Sequence, residues 1–373
     1  MSTERRVAIW RSAMLLGSET FIRNQGDALS RWTPAYVGAT RIESALSRPD
    51  DVIAFPDGNG FLRLRLTGAS PRLHQTLASV RPDLVHAHFG GDGWLVSHTA
   101  ARLGVPLVVT LHGHDVTRQP ASPGAKGVRY RRNLRTVFRR AALVVAVSEV
   151  IRERAIHWGA DPAKVVVHYT GVPVPAAVPM VPKRWDVAFV GRFVAKKGVD
   201  DLLTALARIA TPRPRALFIG DGELMPAMRA RAEELRVDAT FVGSESPAAV
   251  TRHLSESRIL ACPSKTAPDG DTEGLPTTVM EAGALGLPVV ATRHSGIPEA
   301  VLDGETGLLT PEADPVALAA ALTRLLGDAE LRHRLGAQAR RRIGTRFDLV
   351  EQNRRLEDRY DQVTADATLT SQH

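Results

Sequence analysis

The sequence predicts an α/β protein made of two doubly wound parallel-sheet domains that face a cleft. Three observations carry that expectation. Short apolar, β-branched runs alternate with longer helical patterns, the signature of βαβ units and a parallel sheet. The alternation stops at a proline-rich stretch and then restarts. The chain has 373 residues, too many for one typical domain and suited to two.

In the first half strands are expected at 6–10, 35–39, 51–55, 84–88, 107–111, 143–147 and 165–168. The second half restarts the pattern at 187–191, 216–220, 240–243, 259–263 and 289–292. Between them Pro173, Pro175, Pro179 and Pro182 disfavour helix and make a semi-rigid connector. The charged amphipathic run 349–360 predicts a helix near the end, followed by a polar tail after Thr364. No repeat period recurs. Paired α/β domains of this kind bind ligands at the carboxyl ends of their strands, so informative residues should lie just after strands.

Composition narrows the class. Hydrophobic residues make up 44% and charged residues 24%, ordinary for a protein that buries a core. The single cysteine, Cys262, sits in an apolar run and reads as a buried structural thiol in a reducing compartment. Arg5-Arg6 leads directly into the strand-like Val7-Ala8-Ile9-Trp10, so neither a leader peptide nor a membrane span is expected. That places the protein in the cytoplasm or on one face of the cell membrane. The formal charge of +8 suits phosphate-rich partners, and compositional bias accounts for it equally well. Nucleic acid is disfavoured, because aromatic content is 5% and no recognised binding module is present.

The second half carries the densest signal. In the run 271–281, Gly274 and Pro276 end a loop and start a helix, with proline in the first helical turn. Backbone N–H groups at such a helix start form an anion site, and a diphosphate suits it. Glu281 lies one turn beyond Thr277 in an apolar helix, so its carboxylate needs hydrogen bonds. A ribose diol would supply two, and neighbouring backbone groups are the alternative. The run 190–198 aims Arg192, Lys196 and Lys197 from a strand end toward an anion. Gly220-Asp221-Gly222 opens a tight turn, but Met225 stands where a dinucleotide fingerprint needs its third glycine. Asp269-Gly270-Asp271 lacks a third ligand and reads as a turn, so no metal site is expected.

In the first half, His86, His88, His112 and His114 cluster at two strand ends, with Asp115 beside them. Arg131, Arg132, Arg135, Arg139 and Arg140 share a stretch with Tyr130, Leu134, Val137, Phe138 and Ala141 at helical spacing. Two readings stand for this helix: docking on an anionic lipid surface, or simple solvation of its basic face.

The blocks 191–198, Gly220-Asp221-Gly222, Glu273 through Glu281 and Ser295-Gly296-Ile297-Pro298-Glu299 occur in the order seen in retaining glycosyltransferases of family four. The chain resembles that family over most of its second half, and two glutamates separated by seven residues are the family's signature. The loop Gly17-Ser18-Glu19-Thr20-Phe21-Ile22 resembles members that build bacterial exopolysaccharides. The Gly-Gly pair common in that loop elsewhere in the family is absent, and Gly17 alone remains. The resemblance implies a GT-B fold. Residues 1–174 would form a Rossmann-like acceptor domain and 175–345 a Rossmann-like donor domain. Residues 346–373 would hold the tail and a helix that is a candidate to cross back to the N-terminal domain.

By the same resemblance the reaction transfers a hexosyl unit, with retention, from a UDP- or GDP-linked sugar to a glycan, lipid-linked or small-molecule acceptor. His112, Arg192, Lys197 and Glu273 would be catalytic. Gly17, Gly191, Gly220, Gly222, Val242, Gly274, Leu275 and Glu281 would bind the donor, and His88, His114 and Asp115 the acceptor. Neither a metal nor a cofactor beyond the donor substrate is implied. Rival readings are a nucleotide-sugar epimerase on the same architecture and a catalytically silent nucleotide- or glycan-binding partner.

Overall fold

The computed structural model describes residues 5–370 except positions 179 and 211. The first four residues, Pro179 of the proline-rich stretch and the tail beyond 370 lie outside the described residues. Contacts divide the chain into two units, Met1–Gly171 with Leu349–His373, and Val172–Asp348.

The first unit holds β1 (Arg5–Met14), β2 (Trp32–Arg41), β3 (Val52–Ile53), β4 (Leu84–His88), β5 (Leu107–Leu111), β6 (Leu143–Ala146) and β7 (Val165–Val167). They form one sheet of order β3-β2-β1-β4-β5-β6-β7, and all neighbours pair in parallel. The order reverses between β1 and β4, the position where such sheets open a crevice for ligands. The second unit holds β8 (Trp185–Val190), β9 (Ala216–Ile219), β10 (Ala239–Gly243), β11 (Ser257–Cys262), β12 (Val289–Thr292) and β13 (Gly307–Thr310). Its order is β10-β9-β8-β11-β12-β13, also parallel, with the reversal between β8 and β11.

Every expected strand is present: those at 84–88, 107–111 and 289–292 keep the expected ends, and the others shift. β1 runs on to Met14 because residues 11–14 keep pairing with 38–41 of β2. β3 shrinks to two residues. β13 was not expected, since its sequence Gly-Leu-Leu-Thr holds no apolar β-branched residue. It exists because β12 offers an open edge, against which it pairs from Val289↔Gly307 to Thr292↔Thr310.

Alternation along the strands distributes the first core onto two faces. Ala8, Trp10, Val85 and Ala87 point into one layer with Leu95 and Val96, from the helix Gly90–Leu103, and with Leu134 and Val137. Val7, Ile9, Leu84 and Val108 point into the other layer, which is closed by Leu356, Tyr360 and Val363 of the C-terminal helix Leu349–Thr370. Burying each of those three side chains stabilises the unit by roughly 1.5–3 kcal/mol. The second core centres on a ring cluster in which Phe218 stacks on Phe241 at 4.7 Å and Phe189 meets Phe193 edge-on at 5.7 Å. Among the described residues no helix is long and apolar enough to cross a membrane.

Candidate functional site

In the second unit the loops after β8 and β11 come together at the sheet's reversal point. Lys197 lies in a short 3-10 turn that Gly198 ends at φ 63°. A Cβ on Gly198 would meet the Pro263 carbonyl at 2.0 Å, so only glycine allows the two loops this approach. The Lys197 Nζ then reaches Glu273 Oε1 at 2.7 Å. Lys196 Nζ pairs with Asp271 Oδ1 at 3.1 Å and donates to the Thr272 carbonyl. Ser264 donates to Glu273 Oε1 at 3.2 Å. Burial alone would push the Glu273 carboxyl up, but Lys197 and then Lys196 outweigh it and hold it at about 2. Burial works against the Lys197 ammonium, and Glu273 overrides it, leaving that pKa raised.

The main chain around Glu273 is fixed from behind. Its N–H donates to His294 Nε2 at 3.0 Å, which leaves the proton of neutral His294 on Nδ1 to meet Glu312 Oε1 at 2.7 Å. Ser295 Oγ donates to the Glu273 carbonyl at 2.6 Å. Asp271 is committed to Lys196, and its own N–H donates to Asp269 Oδ1 at 3.1 Å, the geometry of a turn. Pro276 stands just before the helix Thr277–Ala284 at φ −64°, ψ 120°, one residue earlier than the sequence suggests. Half-buried Glu281 lies one turn into that helix. Burial lifts its pKa above the ordinary range, and a hydrogen bond from Thr277 pulls the other way.

Gly191, Gly220 and Gly222 form the floor. Gly191 N donates to the Ile219 carbonyl and Gly220 N to the Gly243 carbonyl, and a Cβ on Gly220 would lie 2.0 Å from the Gly191 oxygen. Val242 is half-buried at a register shift in β10, and Gly274 and Leu275 are buried ahead of the helix. Arg192 differs from all of these: it is exposed, and its side chain takes no partner among the described residues.

In the first unit the β1 and β4 ends meet at the other reversal point. Arg11, in β1 just past its apolar run, is buried between Glu19 (2.5 Å) and Asp92, and Asp92 also accepts from the Ser12 N–H at 2.7 Å. The Arg11 guanidinium sits 4.5 Å from the Phe89 ring. Phe89 adopts φ 71°, a left-handed value that strains a residue with a side chain. That turn brings its ring 4.5 Å from His112, whose ring also meets Phe21 at 4.9 Å.

His86 and His88 share the face of β4 that the C-terminal helix covers. Their rings stack at 4.5 Å, and His88 stacks on His112 at 5.3 Å. His86 Nδ1 meets Tyr360 Oη at 2.5 Å and its Nε2 meets Thr110 Oγ1 at 2.7 Å. His88 and Asp115 are each 1% exposed. The Asp115 carboxylate accepts from the N–H groups of Gly90, His112 and Gly113 at 2.9–3.1 Å, and burial keeps its pKa raised despite them. His114 is half-buried with its Nε2 3.1 Å from Gln119 Nε2, and Gly17 is exposed with no atom within 4 Å of a Cβ built there. Sequence reasoning missed Arg11, Phe89, Asp92, His294 and Glu312. Arg11 alone left a signal, as a charge directly following an apolar strand run.

Two family profiles divide the chain between them: "Glycosyltransferase Family 4" matches residues 17–174 and "Glycosyl transferases group 1" matches residues 176–342. The chain is 30% identical over 288 residues to the WcaL glycosyltransferase assigned to colanic acid biosynthesis in Salmonella typhimurium, covering 74% of this chain and 69% of that one. It is also 30% identical over 269 residues to the amylovoran biosynthesis glycosyltransferase AmsK of Erwinia amylovora, covering 67% of this chain and 63% of the relative. Among solved structures, sucrose-phosphate synthase from Thermosynechococcus elongatus superposes with a TM-score of 0.78 at 20% identity, over 97% of this chain and 100% of that one. Anabaena Alr3699/HepE in complex with UDP and glucose does so at 0.78 and 19% identity, over 96% and 100%. With both reversal points built as described and both halves matched, the chain belongs to the family-four glycosyltransferases of the GT-B fold.

Proposed function

We propose that the protein is a retaining hexosyltransferase that takes its sugar from a nucleotide diphosphate and works in polysaccharide or glycoconjugate biosynthesis. The observation that carries this reading is Arg192, an exposed cation whose side chain has no partner among the described residues, near the Lys197–Glu273 pair. Arg192 and Lys197 would neutralise the diphosphate as it leaves, where fixed positive charge lowers the barrier most. Glu273, kept ionised, would accept from donor-sugar hydroxyls. Glu281 would accept from the ribose diol, which suits a carboxylate that burial otherwise disfavours. Gly191, Gly220, Gly222, Val242, Gly274, Leu275 and Gly17 would line the donor, and His112 would meet its primary hydroxyl.

Retention follows if the acceptor attacks from the face the nucleotide leaves. The anomeric carbon–phosphate oxygen bond breaks, the bond to the acceptor oxygen forms, and the acceptor proton passes to the departing phosphate oxygen. With two cations on the diphosphate, no metal is required. His114 keeps surface open for an acceptor, whereas burial puts His88 and Asp115 behind the site. The relatives named for colanic acid and amylovoran biosynthesis support a polysaccharide setting. A panel of UDP- and GDP-linked hexoses, hexosamines and uronic acids, followed by mass spectrometry without metal or acceptor, tests the donor. The expected result is slow release of one nucleoside diphosphate, abolished in Glu273→Ala. Isomerised donor would instead indicate an epimerase, and no turnover or binding of any donor would overturn the reading.

A lipid-linked acceptor is favoured by the helix Gly124–Arg140, which buries Leu134, Val137 and Phe138 and exposes Arg132, Arg135 and Arg139. Each basic residue near an anionic surface contributes roughly 1 kcal/mol. The double substitution Arg132→Glu, Arg135→Glu is expected to abolish flotation with anionic liposomes, and unchanged flotation would remove the membrane from the proposal.

A further inference from the structure

We propose that His88 is a positioning residue that holds His112 as its Nδ1–H tautomer, making His112 a neutral hydrogen-bond donor to the sugar. The inference rests on the reading above only for what His112 touches. The tautomer follows from the geometry.

His88 Nδ1 lies 3.1 Å from His112 Nε2, and the two rings are 23° from parallel. Both rings are neutral. Burial foremost, then His86, His112 and Arg11, lowers His88 well below its usual value, and burial followed by Arg11 and His86 brings His112 to about 3. A contact between two neutral imidazoles needs one donor and one acceptor, so only two arrangements exist.

If His112 donates through Nε2, then His88 accepts through Nδ1 and must carry its own proton on Nε2. That atom is buried and has no hydrogen-bond partner among the described residues. An N–H stranded there loses the bond it would make to water. If His88 donates through Nδ1 instead, the stranded atom is only an unused lone pair, and the His112 proton sits on Nδ1. His112 Nδ1 has no partner among the described residues, and the ring is half-buried, so this proton remains available to a ligand oxygen.

The rest of the column keeps His88 from turning. His86 stacks against it at 4.5 Å, tied at both nitrogens by Tyr360 and Thr110. The chain of contacts therefore runs from the C-terminal helix to His112. Its chemical consequence is that His112 offers a proton through Nδ1 and cannot act there as a base.

The test uses the full chain labelled with ¹⁵N-histidine. Long-range ¹H–¹⁵N correlation distinguishes the two tautomers, and the His112 signals are assigned by their loss in His112→Gln. The expected pattern is a protonated Nδ1 and a bare Nε2. A protonated Nε2 in the wild-type protein would overturn the proposal with no variant needed.

Substitution supplies a second readout. The asparagine Nδ2–H sits as many bonds from the backbone as the histidine Nδ1–H, whereas the glutamine amide stands in for Nε2. His88→Leu and His88→Gln are expected to lower kcat/KM for donor hydrolysis roughly tenfold, the worth of one neutral hydrogen bond. His88→Asn should recover most of that loss. Equal impairment by Asn and Gln would refute the positioning role. If His112→Ala leaves donor hydrolysis unchanged while the wild type still has its proton on Nδ1, the functional reading of His112 fails and the tautomer assignment stands.

Discussion

Replacing Lys197 with alanine is expected to lower donor turnover at least about a hundredfold and to destabilise the protein, through two separable causes. The kinetic loss follows from removing a fixed cation at the leaving diphosphate. The stability loss has a different origin: Glu273 is left as a buried carboxylate whose remaining cation, Lys196, is 3.9 Å away. Breaking one side of a buried pair costs roughly 3–5 kcal/mol, and Lys196 and Ser264 put the expected value near the lower end. The pH dependence separates this from a packing defect. Folded Glu273 is held at about 2, below its ordinary 4.5, so the pair stabilises the wild type fully above that ordinary value. The contribution fades as pH falls from 4.5 toward 2. The gap in urea midpoint between wild type and Lys197→Ala should therefore be wide at pH 7 and narrow at pH 3. Glu273→Ala combined with Lys197→Ala should be less destabilised at pH 7 than additivity of the singles predicts. A midpoint gap that ignores pH would show that the ion pair contributes nothing.

The second large effect is expected at Glu357, far from any strand-end motif. Its carboxylate is 0% exposed and accepts from the N–H groups of Ser30, Arg31 and Trp32 at 2.7, 2.6 and 3.1 Å, and from Ser30 Oγ at 2.9 Å. One side chain of the C-terminal helix thus satisfies the backbone that opens β2. Glu357→Ala strands those donors and should cost about 2–4 kcal/mol, since each unsatisfied buried group is expensive. Glu357→Gln keeps one acceptor oxygen and should lose about half as much. Urea denaturation followed by tryptophan fluorescence measures both. Identical midpoints for alanine and wild type would mean that water or rearranged backbone replaces the carboxylate without loss.

Glu357 also marks the limit of what the sequence reveals. Strand alternation is local, so the β segments could be expected from apolar runs alone. Lys197 was legible in the basic run that follows β8, where this architecture gathers its chemistry, and Glu273 only through the family resemblance. What stayed hidden depends on which strands become neighbours. Arg11 finds Asp92 only because β4 inserts next to β1, and His88 reaches His112 only because β5 follows β4 in the sheet. Ser30 and Glu357 are 327 residues apart, and nothing in either neighbourhood announces the other. β13 escaped notice because its strand character comes from an available edge rather than from its residues. The φ of 71° at Phe89 had no local cue, since glycine would be the usual occupant.

The return of the C-terminal helix to the first unit also orders events on the ribosome. All seven strands of that unit are synthesised by Gly171, yet the layer carrying Val7, Ile9, Leu84 and Val108 is not closed until Leu349–Thr370 emerges. The second unit is made entirely within that interval. At roughly 5–20 residues per second the wait is on the order of ten to forty seconds. The later-made half therefore completes its fold first, and the nascent first half carries an uncovered apolar sheet face that suits capture by a chaperone until the last turns of helix arrive.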